Sequence, residues 1–201
     1  MADVVKKQFK SKYHILIWIA VLSLAFMGMI EYGYLGAGKG FWFWKIHLGL
    51  VPYVSWLVLT YLATKPKWFI KRYNPNEMFE IHRIVGIVGV AMVCIHWYVY
   101  FLKAIKSPLG FWAGYVSVGA MLIAFVFAIL YLTPWIGNMA KSMSRKKAIW
   151  IHRLNLIAII AANLHVHGFG RLSKMMPFIV VFDVLTYALV IYYIYWMFKQ
   201  K

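Results

Sequence analysis

The chain has 201 residues, 64% hydrophobic and only 13% charged, whereas a soluble domain carries about 25% charged residues and roughly half apolar ones. One small core cannot bury that excess, which excludes an ordinary soluble domain and points to lipid as the solvent. The net charge of +17 invites a nucleic-acid reading. Its Lys and Arg, however, lie in short segments between apolar runs, and no soluble domain is left to bind nucleic acid, so none is expected as a partner.

Lys6, Lys7, Lys10 and Lys12 lead into the first apolar run without a small-residue cleavage site, so no cleaved signal peptide is expected. Six spans follow, at 15–33, 41–63, 81–102, 111–132, 149–169 and 176–198, each near the length that crosses a bilayer as a helix. Turn chemistry separates them: Gly36-Ala37-Gly38-Lys39-Gly40, Lys65-Pro66, Asn74-Pro75-Asn76, Ser107-Pro108 and Thr133-Pro134. Trp42, Trp44, Trp68, Trp97, Trp112, Trp135, Trp150 and Trp196 gather near span ends as an interfacial belt. The predicted fold is all-α: a polytopic six-helix transmembrane bundle forming one domain over 1–201.

With the N-terminus in the cytoplasm, 16 of the 22 Lys and Arg fall on the cytoplasmic side. The other face holds Lys39, Lys45, Lys103, Lys106, Arg171 and Lys174. This positive-inside bias places both termini in the cytoplasm of a cell membrane, with a bacterial plasma membrane expected. The sequence stops shortly after Trp196 and contains no glycine-rich phosphate loop, so its chemistry is expected inside the membrane. Cys94, the single cysteine, reads as a small packed side chain.

Ionisable residues inside spans are costly and mark function by default. The third span carries His82 and, after thirteen residues, His96; the fifth carries His152 and, after twelve, His165, with His167 two further on. Fourteen steps rise about 21 Å and make almost four turns, so His82 and His96 share a face at opposite leaflets. Gly86, Gly89 and Val93 lie on the same stripe. Two glycines between two histidines make a shallow groove fit for a flat macrocycle, or a site of close helix packing.

In an antiparallel bundle the third and fifth spans run parallel, bringing His82 level with His152 and His96 level with His165. Each level offers two imidazoles and no carboxylate or thiolate, too few ligands for zinc but enough for both axial positions of a haem iron, which favours electron transfer. Arg83 and Arg153 follow the inner histidines, placed to pair with propionates or to act as flanking charges. Thirteen steps from His152 to His165 miss a common face of a straight helix. Spacing alone leans to His167, unless a bulge or curvature intervenes.

These residues resemble the ferric reductase-like transmembrane domain, the family of NADPH oxidases, ferric reductases and the haem-binding membrane subunit of the bacterial periplasmic methionine sulfoxide reductase system. The family pattern places a histidine pair on the third of six helices and a second pair, separated by twelve or thirteen residues, on the fifth. His82/His96 and His152/His165 match it, and Trp150-Ile151-His152-Arg153-Leu154 is similar to the bacterial NADPH-oxidase version. The resemblance implies two b-type haems, the inner on His82 and His152 and the outer on His96 and His165, with His167 in reserve. It further implies the membrane electron-transfer component of an oxidoreductase. Electrons would pass from a cytoplasmic flavoprotein or a quinol to ferric iron, oxygen, a quinone or a redox protein outside. Most relatives continue into flavin and NADPH domains that are not in this sequence, so the flavin is expected on a partner.

Other readings are a non-haem, proton-coupled transporter using the same histidines, and a membrane anchor that assembles a partner enzyme. His47, near the outer end of the second span, reads as a hydrogen-bonded packing residue, with protonation or quinone binding as the alternative. His14 is expected in solvent at the start of the first span, and Glu31 and Asp183 receive no role. Asn155 and Asn163 are expected to face the bundle. No aromatic residue lies between the paired histidines on either helix, so a relay would draw on Phe125 or Phe127.

Overall fold

The computed structural model describes residues 2–35, 44–71, 73–101, 107–132 and 145–199. Gly36 to Gly40, Trp42, Lys103, Lys106, Thr133-Pro134 and Trp135 lie outside the described residues. Among those described, every regular element is helical: α1 (Ala2–Leu35), α2 (Trp44–Ala63), α3 (Lys67–Ile70), α4 (Pro75–Phe101), α5 (Pro108–Leu132), α6 (Arg145–His152), α7 (Asn155–His167), a 3-10 turn (Leu172–Lys174) and α8 (Phe178–Lys199). Six stretches are long and apolar enough to cross a membrane: Tyr13–Leu35, Trp44–Ala63, Asn76–Tyr100, Pro108–Leu130, Lys147–His167 and Phe178–Lys199. Leu16, Val21, Ile84, Val88, Val184 and Ile191 are exposed, as lipid-facing side chains are. This is a multi-pass membrane protein.

Two of the helices that start earlier than expected, α4 and α5, do so for one reason. The Asn74 side chain accepts the backbone N–H of Asn76 at 2.9 Å, and the Ser107 hydroxyl accepts that of Gly110 at 3.2 Å. Each caps a helix whose first residue is proline, where the missing N–H costs nothing. Asn74-Pro75-Asn76 and Ser107-Pro108 are therefore helix starts as much as breaks. At the other end of α2, Lys65 adopts the left-handed conformation (φ 51°) that ends many helices.

The chain forms two compact units. In the first, residues 1–101 and 174–201, α2 packs on α1, α4 and α8. One end is filled by Ile15, Ile19, Val58, Leu62, Phe69 and Ile81. Further along, Phe26, Phe178, Phe182 and Tyr53 form successive ring contacts with centroids 4.7–6.2 Å apart. The Tyr53 hydroxyl lies 2.6 Å from Thr186 Oγ1, which itself donates to the Phe182 carbonyl at 2.6 Å. Since the threonine's one hydrogen is spent on that carbonyl, the tyrosine donates.

In the second unit, residues 102–173, α5 packs along α6 and α7. Buried Ala113, Ala124, Ala158 and Ala161 permit the close approach that drives helix association in lipid. Ser117 donates to the Ala158 carbonyl at 2.9 Å. Gly110 and Gly168 touch backbone to backbone, so a Cβ on Gly168 has no room.

The fifth span is broken. α6 ends at His152, and residues 153 and 154 form a turn before α7 begins at Asn155. Leu154 N–H bonds to Ile151 O and Leu156 N–H to Arg153 O, both at 2.9 Å. These are three-residue steps, tighter than an α-helix. The phase of a straight helix therefore does not carry from His152 to His165.

Candidate functional site

His82 and His96 lie on one uninterrupted helix, α4, within about 40° of a common face. His82 is half-buried and Arg83 exposed. The two glycines between the histidines differ. A Cβ at Gly89 would meet the Trp56 indole nitrogen at 3.2 Å and Pro52 at 3.6 Å, so this glycine is where α2 lies close against α4. At Gly86 a Cβ would meet nothing within 4 Å among the described residues.

His96 is held from α2. Its Nδ1 lies 2.7 Å from the Lys45 carbonyl oxygen, and its ring covers Gly49, one turn further along α2, where an added Cβ would sit 3.1 Å from Cε1. Tyr100, one turn along α4, packs beside the ring with centroids 4.9 Å apart.

His165 repeats this arrangement in the second unit. Its Nδ1 lies 2.6 Å from the Gly110 carbonyl oxygen in the first turn of α5. The ring covers Gly114, again four residues on, where an added Cβ would sit 2.7 Å from Nδ1. Phe169, four residues after the histidine, packs edge-on at 4.8 Å.

A carbonyl only accepts, so both hydrogen bonds require Nδ1–H, and in the neutral ring Nε2 carries the lone pair. Metal-binding histidines are commonly oriented in this way, through the ring nitrogen that does not ligate. His167 is the last residue of α7. Spacing alone leaned towards His167; His165 is the histidine whose setting repeats that of His96.

His152 closes α6, half-buried. Beside it the Arg153 guanidinium lies over the Trp150 ring at 4.5 Å, and its Nε is buried without a partner among the described residues. A buried cationic N–H in that state suits an anionic oxygen. No protein-family model matches the chain, and no curated protein or solved structure is similar to it.

Among the described residues no three His, Cys, Asp or Glu side chains form a metal-holding group. A haem iron needs only two axial imidazoles, and each unit by itself holds features suited to such a group: a histidine with Nδ1 on a carbonyl in each, open space at Gly86 in the first, and in the second a buried Arg153 nitrogen without a partner among the described residues. The α4 and α6–α7 histidines belong to different units, and these features are properties of each unit by itself.

Sequence reasoning missed the seats. Gly49 and Gly114 follow Lys45 and Gly110 by four residues in the opening turns of the second and fourth spans, a spacing visible in the sequence once the histidine partners are known. Reasoning from the chain also gave Glu31 no role, yet its Oε1 lies 2.7 Å from His47 Nε2. Of the asparagines, Asn163 is fully buried, and Asn155 is half-buried.

Proposed function

We propose that the protein belongs with the ferric reductase-like transmembrane domains and conducts electrons across a membrane through two b-type haems. The observation that carries this reading is the shared setting of His96 and His165: Nδ1 on a first-turn carbonyl and the ring on a glycine one turn later. An ordinary packed histidine needs one such partner at most. Two histidines prepared alike, each with a second histidine on the same span, suit axial ligation at two depths.

When bound, haem supplies reversible one-electron chemistry at iron. His82 and His152 would hold the inner group, and His96 and His165 the outer. The backbone carbonyls of Lys45 and Gly110 fix the tautomer and raise the basicity of the outer ligands. Gly86 leaves room for a flat ring against α4. Arg153, with Arg83, would neutralise propionates at the cytoplasmic end.

The Lys and Arg distribution supports cytoplasmic termini in a bacterial plasma membrane. The donor would be a flavoprotein or quinol, and the acceptor a species at the outer face. The test is a reduced-minus-oxidised spectrum with pyridine haemochrome analysis of protein purified from haem-replete cells. About two b-type haems per chain are expected; a colourless protein overturns the proposal.

A further inference from the structure

Glu31 on α1 and His47 on α2 form a buried acid–base pair with one nitrogen unspent. Glu31 is 8% exposed, and its Oε1 lies 2.7 Å from His47 Nε2, both side chains 11% exposed. His47 Nδ1 is shut from solvent and meets no partner among the described residues. A carboxylate on one ring nitrogen fixes the proton there and leaves the other as the base, the arrangement by which an acid orients a histidine for proton transfer. As packing alone the pair is a poor bargain, since it takes two ionisable groups out of water for one hydrogen bond.

Its position adds the second argument. The opening turn of α2 that presents the Lys45 carbonyl to His96 also carries His47. Other titratable groups on the same stretches of the unit include Tyr32 and Tyr34 on α1, Lys45 on α2, His96, Tyr98 and Tyr100 on α4, Lys174 ahead of α8 and Asp183 on α8. Of these, Asp183 is the other carboxylate, and Glu31 is the one in contact with His47.

We propose that Glu31 and His47 form a proton-donating site, so that the acceptor reduced at this end takes up protons with its electrons and is of the quinone class rather than ferric iron. This rests on the electron-conduit reading above. The balance is quinone plus two electrons plus two protons to hydroquinone, with a dihydroflavin as the reductant feeding the conduit. For each electron, imidazolium Nδ1–H breaks, an O–H bond forms on the quinone oxygen, and the neutral ring keeps Nε2–H on Glu31 until water returns the proton.

The test uses full-length protein in proteoliposomes, reduced by a dihydroflavin, with a short-chain benzoquinone or ferricyanide as acceptor. Ferricyanide gains an electron and no proton. In Glu31→Gln and His47→Gln, quinone reduction is expected to slow by at least about tenfold and to lose its dependence on outside pH. Haem content and the ferricyanide rate should stay as in the parent. The inference is overturned if both acceptors slow together, if neither slows, or if the parent reduces ferricyanide but not the quinone. A parent without haem bands removes the conduit reading and this inference with it.

Discussion

His165 Nδ1 donates to the carbonyl oxygen of Gly110 at 2.6 Å, joining α7 to the first turn of α5 at the point where Gly168 also touches Gly110. The bond fixes the ring before any ligand arrives. If His165 is an axial ligand, His165→Ala should lower haem content from about two per chain to about one, and His167→Ala should leave it unchanged. Pyridine haemochrome quantification decides; equal loss in both variants removes the distinction.

The glycine seats give a sharper test. A methyl at Gly114 would sit 2.7 Å from the His165 ring, and one at Gly49 would sit 3.1 Å from that of His96. Gly114→Ala and Gly49→Ala should displace the rings at a cost of about 1–3 kcal/mol and alter the low-spin electron paramagnetic resonance signal of one haem. Gly28→Ala and Gly119→Ala, where nothing lies within 4 Å, should leave that signal alone. Identical spectra across all four variants would show that the seats do not orient ligands.

Arg153 offers a charge test. Arg153→Met keeps an apolar stem over Trp150 and removes the cation. A nearby positive charge favours the reduced, less positive state of a redox group, so one of the two midpoint potentials should become more negative in a potentiometric titration. If neither moves, Arg153 acts as a flanking charge.

Stability at the Tyr53–Thr186 contact should be asymmetric. Tyr53→Phe removes a donor and leaves Thr186 bonded to Phe182, at a cost near 0.6 kcal/mol, typical within a membrane. Thr186→Val strands a buried hydroxyl, costing about 1–3 kcal/mol. Thermal unfolding in detergent should place Thr186→Val below Tyr53→Phe; the reverse order overturns this bonding assignment.

The six spans were legible in the chain because their signal is local: unbroken apolar runs. Asn74 and Ser107 were half-read, as turn formers, because a cap becomes evident only when the helix behind it is seen to begin at proline. The turn after His152 was legible only as a conflict, thirteen steps that fit no straight helix. Gly49, Gly114 and Glu31 were missed for another reason. Each acts on a residue of a different helix, and contacts between helices leave no periodic trace in one sequence. Gly89 read as groove floor or as a close helix contact, and it is the second, with Trp56 of α2 against it; composition cannot distinguish the two.

Both tethered rings hang on main-chain oxygen, and that places their anchors beyond the reach of most point mutations. Lys45 can be exchanged for almost any residue and still offer the same acceptor. The orientation of His96 is thus decoupled from the surface charge of that position, leaving the side chain at 45 able to drift to suit lipid or partner while the ring above it keeps its bearing.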